Sequence, residues 1–179
     1  MLLRFKEAIV RKVIVADPTT CYACLSCVVE CSARRAGTPN DAPLNAASFC
    51  QAGCDVVGVG ALAVPLFCNH CEDAPCATVC PTGAMHRNEE TGTVELDVER
   101  CIGCKACVVA CPFGMVRMMP DGSAMIKCDL CADRQAQGLE PACVAACPVG
   151  ALTLKELEDV AAEARRRAAV AQVADQDAE

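Results

Sequence analysis

Sixteen of the eighteen cysteines fall into four quartets, and no other feature constrains the chain as tightly. The quartets are Cys21, Cys24, Cys27 and Cys31; Cys68, Cys71, Cys76 and Cys80; Cys101, Cys104, Cys107 and Cys111; and Cys128, Cys131, Cys143 and Cys147. The first and third have the spacing C-x2-C-x2-C-x3-C. The second widens its middle gap to four residues and the fourth to eleven. Pro81, Pro112 and Pro148 follow the last cysteine of the later three quartets, whereas Ser32 follows Cys31. With no Trp, one Tyr and four Phe in 179 residues, the aromatic groups that usually fill a core of this size are nearly missing. Something else must occupy the interior.

Cysteine at this level points either to a disulfide scaffold in a secreted protein or to a metal-bearing protein in a reducing compartment. The N-terminal run Met1-Leu-Leu-Arg-Phe-Lys-Glu7 is charged from the start, with no apolar segment and cleavage site of the kind that directs export. The expected location is therefore cytoplasmic, where disulfides are rare. The longest nearly apolar run, Val56 to Phe67, is broken by Gly58, Gly60 and Pro65 and falls short of the roughly 20 residues needed to cross a bilayer; it reads as soluble core or loop. Zinc would use two C-x2-C pairs per site and has no role for a third cysteine or for the x3-C-P that follows.

What suits the spacing is a 4Fe-4S cube. Three thiolates on a short loop reach three iron corners, while the fourth opens a helical turn, points away and serves the neighbouring cube, as in the bacterial ferredoxin run C-x2-C-x2-C-x3-C-P. The second and third quartets are joined by a stretch that matches one such repeat, which pairs them and leaves the first for the fourth. The ligand sets expected are Cys21, Cys24, Cys27 with Cys147; Cys128, Cys131, Cys143 with Cys31; Cys68, Cys71, Cys76 with Cys111; and Cys101, Cys104, Cys107 with Cys80. Four oxidised cubes on thiolates add about two negative charges apiece to the formal −7 of the chain. Nucleic acid is excluded as a partner on that charge, which suits solubility or docking onto basic patches.

Around each quartet the chain repeats a short strand, a ligand loop, a helical turn and a short strand. Val94–Asp97 and Met115–Met118 flank the third quartet and are short enough to be edge-like strands of a small hairpin; Ala124–Lys127 and Ala151–Leu154 flank the fourth in the same way, and Val13–Asp17 leads into the first. The phrases Pro81-Thr-Gly83, Pro112-Phe-Gly114 and Pro148-Val-Gly150 end the helical turns. A long segment from Gly37 to Leu66 reads as a loop excursion over the clusters. It carries the two surplus thiols, Cys50 and Cys54, spaced to share one helix face and read as buried structural thiols, with a shared metal or redox site as the other possibility. The stretch from Lys155 to Ala174 is helix-forming, with an apolar stripe of Leu157, Val160, Ala161 and Ala164, and Glu163 placed four before Arg167. Arg165–Arg167 reads as a solvated face. His70 lies inside a ligand loop, where it is either a plain loop histidine or a donor to cluster sulfur; His86 has no assigned role.

Cys68-Asn-His-Cys-Glu-Asp-Ala-Pro-Cys76, Cys101-Ile-Gly-Cys-Lys-Ala-Cys107 and Lys127-Cys-Asp-Leu-Cys131 resemble the four-cluster ferredoxin-like electron-transfer subunits of bacterial oxidoreductases, the subunits that accompany formate dehydrogenase, carbon monoxide dehydrogenase, hydrogenase, aldehyde oxidoreductase and dimethyl sulfoxide reductase. The resemblance implies an α+β fold of two ferredoxin-like halves related by a pseudo-twofold axis, a near-linear chain of four cubes, and a C-terminal helix. The halves would be about 13–36 plus 123–154, and about 66–122, with an insertion at 37–65; together 1–154 would make one domain, followed by a helix and tail at 155–179. It implies a molybdenum-, tungsten- or nickel-containing catalytic partner, a further redox subunit, and for some members self-assembly into oligomers or filaments. The chain itself shows no nucleophile–base constellation, phosphate loop or dinucleotide fingerprint, and no quartet lacks the fourth cysteine that an open catalytic iron would require. The expected role is single-electron relay with no substrate chemistry, in a complex or as a diffusible polyferredoxin.

Overall fold

The computed structural model describes residues 11–37 and 51–176, for the last three of these without side chains. The architecture is a mixture of short strands and short helices, with no sheet larger than a pair among the described residues. Strand β1 (Lys12–Ala16) leads into helix α1 (Ser26–Ala36). The hairpin β2 (Asp55–Val59) and β3 (Leu62–Leu66) follows, then α2 (Pro75–Thr78), β4 (Met85–Arg87), β5 (Val94–Leu96) and α3 (Ala106–Ala110). The rest comprises β6 (Arg117–Met118), β7 (Met125–Ile126), α4 (Ala132–Gln135), α5 (Ala142–Ala145), β8 (Leu152–Glu156) and the long α6 (Leu157–Gln176).

All four strand pairs are antiparallel. Strand β1 pairs with β8, from Lys12 opposite Glu156 to Ala16 opposite Leu152, so the segment before the first quartet is stitched to the segment after the last. Strand β5 pairs with β4, and β6 with β7. Val94–Asp97 and Met115–Met118 therefore do not share a hairpin, and the latter pairs instead with the strand that precedes the fourth quartet. The cause is connection length, because the six residues between β4 and β5 and the six between β6 and β7 turn back directly, whereas a ligand loop and helix separate β5 from β6. Val56–Phe67, expected as core or loop, forms most of the β2–β3 hairpin, whose two-residue turn begins at Gly60 with φ 60°, the left-handed geometry that glycine adopts without strain.

The interior divides into two cores. Cys27, Cys31, Ala52, Cys54, Cys143, Val144 and Leu152 form one, and Ala74, Cys76, Met85, Val94, Cys107, Val116 and Met125 form the other. Cysteine occupies positions that aromatic side chains hold in most domains. The C-terminal helix starts at Leu157, two residues later than expected, because Lys155 and Glu156 stay in β8 opposite Val13 and Lys12, and the Leu157 N–H continues that ladder to the Arg11 carbonyl at 2.8 Å. Glu163 pairs with Lys155 at 2.6 Å rather than with Arg167, and Arg165 pairs with Glu158 at 2.9 Å. Of the anticipated stripe only Val160 and Ala161 are half-buried. Among the described residues no helix is long and apolar enough to cross a membrane.

Candidate cluster-binding sites

The four ligand loops share one backbone device. The second residue after the first cysteine of each quartet is left-handed: Ala23 at φ 62°, His70 at 44°, Gly103 at 66° and Leu130 at 52°. The seven non-glycine residues with positive φ among those described, Ala23, Leu25, His70, Ala74, Lys105, Leu130 and Cys131, all lie in these loops. Each costs roughly 1–2 kcal/mol, and such strain concentrates where a site over-determines the backbone. The device turns peptide N–H groups inward. His70 N–H donates to Cys68 Sγ at 3.5 Å and Leu130 N–H to Cys128 Sγ at 3.4 Å, the kind of N–H concavity that holds an anionic group.

Further N–H donors reach sulfur from outside the loops. Met85 donates to Cys80 Sγ at 3.3 Å, Met115 to Cys111 Sγ at 3.4 Å, and Ala142 to Cys131 Sγ at 3.5 Å. The first two follow from the repeated Pro-x-Gly phrase. Gly83, Gly114 and Gly150, each at φ 64°, donate to the carbonyls of Cys80, Cys111 and Cys147 at 3.2–3.3 Å, closing turns with Pro at their second position. The first quartet lacks that turn, so α1 runs on to Gly37, and Gly53 supplies the donor to Cys31 Sγ at 3.2 Å.

Two hollows are lined by thiols from distant parts of the chain. Cys21, Cys24, Cys27 and Cys147 line one. Cys80, Cys101, Cys104 and Cys107 line the other. Of the remaining quartet thiols, Cys31, Cys128, Cys131 and Cys143 lie near one another and Cys76 lies near Cys68 and Cys111, making two central groups. Burial raises Cys143 most, and the nearby Cys128, Cys31 and Cys131 thiols raise it further. Burial likewise raises Cys76, with Lys127 opposing and Cys68 and Cys111 adding to the rise. Each group lies within electrostatic reach of the next: Cys27 acts on Cys143, Cys68 on Cys128, and Cys76 on Cys107. No three Cys, His, Asp or Glu groups among the described residues converge on the single point a lone metal ion would occupy. An all-thiol donor set is that of an iron–sulfur cube.

Of the surplus thiols, Cys50 lies outside the described residues. Cys54 is not helical; it immediately precedes β2, buried at 1% exposure. Its thiol donates to the Cys27 carbonyl at 3.5 Å and is driven strongly upward by the neighbouring Cys27 and Cys31 thiols and then by burial. Cys54 is in turn the largest cause lowering Cys27 to about 7 and Cys31 to about 6. His70 is buried, its Nδ1 accepting the Val94 N–H at 3.0 Å, and burial followed by the charge of Lys127 pushes it down to about 3. His86 is exposed, with Nδ1 3.2 Å from the Ala84 carbonyl.

Two residues of the site, Gly53 and Lys127, were not anticipated from the sequence. A Cβ on Gly53 would stand 2.8 Å from the Cys128 backbone, a close approach nothing in the local sequence announces. Lys127 is 3% exposed; the sequence places it at the head of the phrase Lys127-Cys-Asp-Leu-Cys131 and as a lone cation closing the apolar run Ala124-Met-Ile, but neither signal announces its burial.

Residues 59–157 match the family of 4Fe-4S dicluster domains. The chain belongs to that family. Electron transport protein HydN of Escherichia coli K12 is 39% identical over 175 residues, covering 88% of this chain and 97% of that one. The thiosulfate reductase electron transfer subunit PhsB of Salmonella typhi is 40% identical over 153 residues, covering 82% and 77%. The B subunit of the anaerobic dimethyl sulfoxide reductase of Escherichia coli K12 is 35% identical over 161 residues, covering 87% and 78%. As a dicluster-family member with these relatives, the protein is an iron–sulfur electron-transfer chain rather than a catalytic one.

Proposed function

We propose that the sixteen quartet cysteines hold four 4Fe-4S cubes in the crossed sets, first quartet with fourth and second with third, and that the protein relays single electrons along them between a catalytic oxidoreductase subunit and a second redox partner. The observation that carries this reading is the left-handed turn repeated in all four ligand loops, together with hollows whose fourth thiol comes from another quartet. When bound, the cubes supply one-electron chemistry. The chain's own part is to aim N–H groups at sulfur, exclude water from the central groups and order the sites end to end.

In this reading the two cores mark two ferredoxin-like halves related by a pseudo-twofold, built on about 13–36 plus 123–154 and on about 66–122. The β6–β7 pair then joins the halves, with the boundary falling in its turn. The catalytic partner is of the class served by the relatives, an oxidoreductase acting on a small inorganic or organic substrate. The abundance of thiolate ligands suits a reducing, cytoplasmic setting. The likeness to HydN, named as an electron transport protein in its own right, favours a free-standing polyferredoxin as the second reading. Anaerobic purification from the native host distinguishes the two, since a co-purifying molybdenum, tungsten or nickel enzyme supports the first and a chain travelling alone supports the second. Iron and sulfide analysis should give about sixteen of each per chain; about eight, or colourless protein carrying zinc, would overturn the four-cube assignment.

A further inference from the structure

Lys127 is the most deeply buried cation among the described residues, yet it forms no ion pair there. Its Nζ donates to the carbonyls of Val94 and Cys128, the latter at 2.7 Å, and lies 3.4 Å from His70 Nδ1. Two of its three N–H donors thus meet carbonyl acceptors, neither carrying a negative charge, and a buried cation without a counter-charge is strongly disfavoured. His70 cannot share the positive charge, because its Nδ1 is already occupied by the Val94 N–H. Its Nε2 is buried and has no partner in the protein.

Two ligand loops flank the ammonium: it contacts the Cys128 carbonyl in one and His70, between Cys68 and Cys71, in the other. Lys127 adjoins Cys128 in sequence, and its field reaches both Cys128 and Cys76, opposing the rise that burial imposes on each. These cysteines belong to the two different central groups.

Building on the four-cube reading, we propose that Lys127 is the shared counter-ion of the two central cubes, and that it makes a central cube the first to accept an electron. Reduction adds one electron, and so one negative charge, to a cube without making or breaking a bond. Burial disfavours that added charge and a fixed cation favours it, so Lys127 offsets the penalty of the dry centre. Lys127 is a positioning residue for charge and touches no substrate.

The test is a redox titration of the anaerobic, iron-loaded protein followed by electron paramagnetic resonance, on wild type and Lys127→Met. In the variant the ratio of reduced to oxidised central cubes at fixed ambient potential should fall about tenfold, which for one electron is about 59 mV. Iron content should be unchanged. A variant holding its full iron with unchanged titration overturns the proposal. A purely structural role would lower stability and leave the potentials of the cubes in place.

Should the variant fail to load, the wild type still decides the matter. A soluble dysprosium chelate should leave the first cube signal to appear on reduction unrelaxed, because that cube is central and shielded; a first signal that relaxes strongly overturns the proposal. Failure of the four-cube reading would register separately, as an iron count well below sixteen.

Discussion

The two end sites and the two central groups use the same turn for different purposes. At the ends Cys24 and Cys104 are exposed, and apolar side chains stand in solvent beside them: Tyr22 at 59%, Ile102 at 66% and Val109 at 87% exposure. At the centre Cys31, Cys76, Cys128, Cys131 and Cys143 are buried while Cys68 and Cys111 are half-buried, with Gly53 packed against Cys128 and Cys31 and Lys127 against the Cys128 carbonyl. An open rim brings a cofactor within reach of a partner, while a sealed one lets fixed charges and peptide dipoles act in a low dielectric where they count for more. In the four-cube reading, the contrast suits exchange at the ends and storage at the centre.

The largest expected effect tests whether the sites are crossed at all. Cys68→Ser with Cys111→Ser should cost no more than the cube lost by Cys68→Ser alone, leaving about twelve irons. Cys101→Ser with Cys111→Ser should remove two cubes and leave about eight, since independent sites add and shared ones do not. Equal iron content in the two double variants would break the crossed assignment. Next comes the order of loss under oxidation. Exposed to ferricyanide, the protein should release iron in two phases of about eight irons each, the end sites first. One uniform phase would mean that the ends are as sealed as the centre.

The smallest effect separates two glycines. Gly53→Ala forces a Cβ to within 2.8 Å of the Cys128 backbone and should cost about 3 kcal/mol. Gly150→Ala, at φ 64° with nothing within 4 Å, should cost only the roughly 1 kcal/mol of left-handed strain. Urea midpoints of the iron–sulfur absorbance measure both, and equal shifts would remove the claim that the centre is the tightly packed region.

Much of this was legible in the residues. Cysteine spacing and the Cys101-Ile-Gly-Cys-Lys-Ala-Cys107 phrase pointed to the iron–sulfur electron-transfer family, and the Pro-x-Gly phrases marked turns that the structure closes at Gly83, Gly114 and Gly150. Strand partners were less legible. Val94–Leu96 and Arg117–Met118 flank one ligand loop yet pair outward, because a two- or three-residue strand carries too little periodicity to name its neighbour. The helical pairing of Glu163 failed for a related reason: Lys155, held in β8, reached the carboxylate first.

By itself the sequence determined the chemistry, since thiolates at loop spacing define what kind of cofactor a chain can wrap and hence what kind of reaction it serves. Only the tertiary structure decided the environment of each group. Burial of Cys54 against the Cys27 carbonyl, the approach of Gly53 to Cys128 and the placement of Lys127 against Val94 and His70 all join residues far apart in the chain or in different elements. Spacing along a chain carries no information about such distances, and it is they that set dielectric, charge and solvent access at each site.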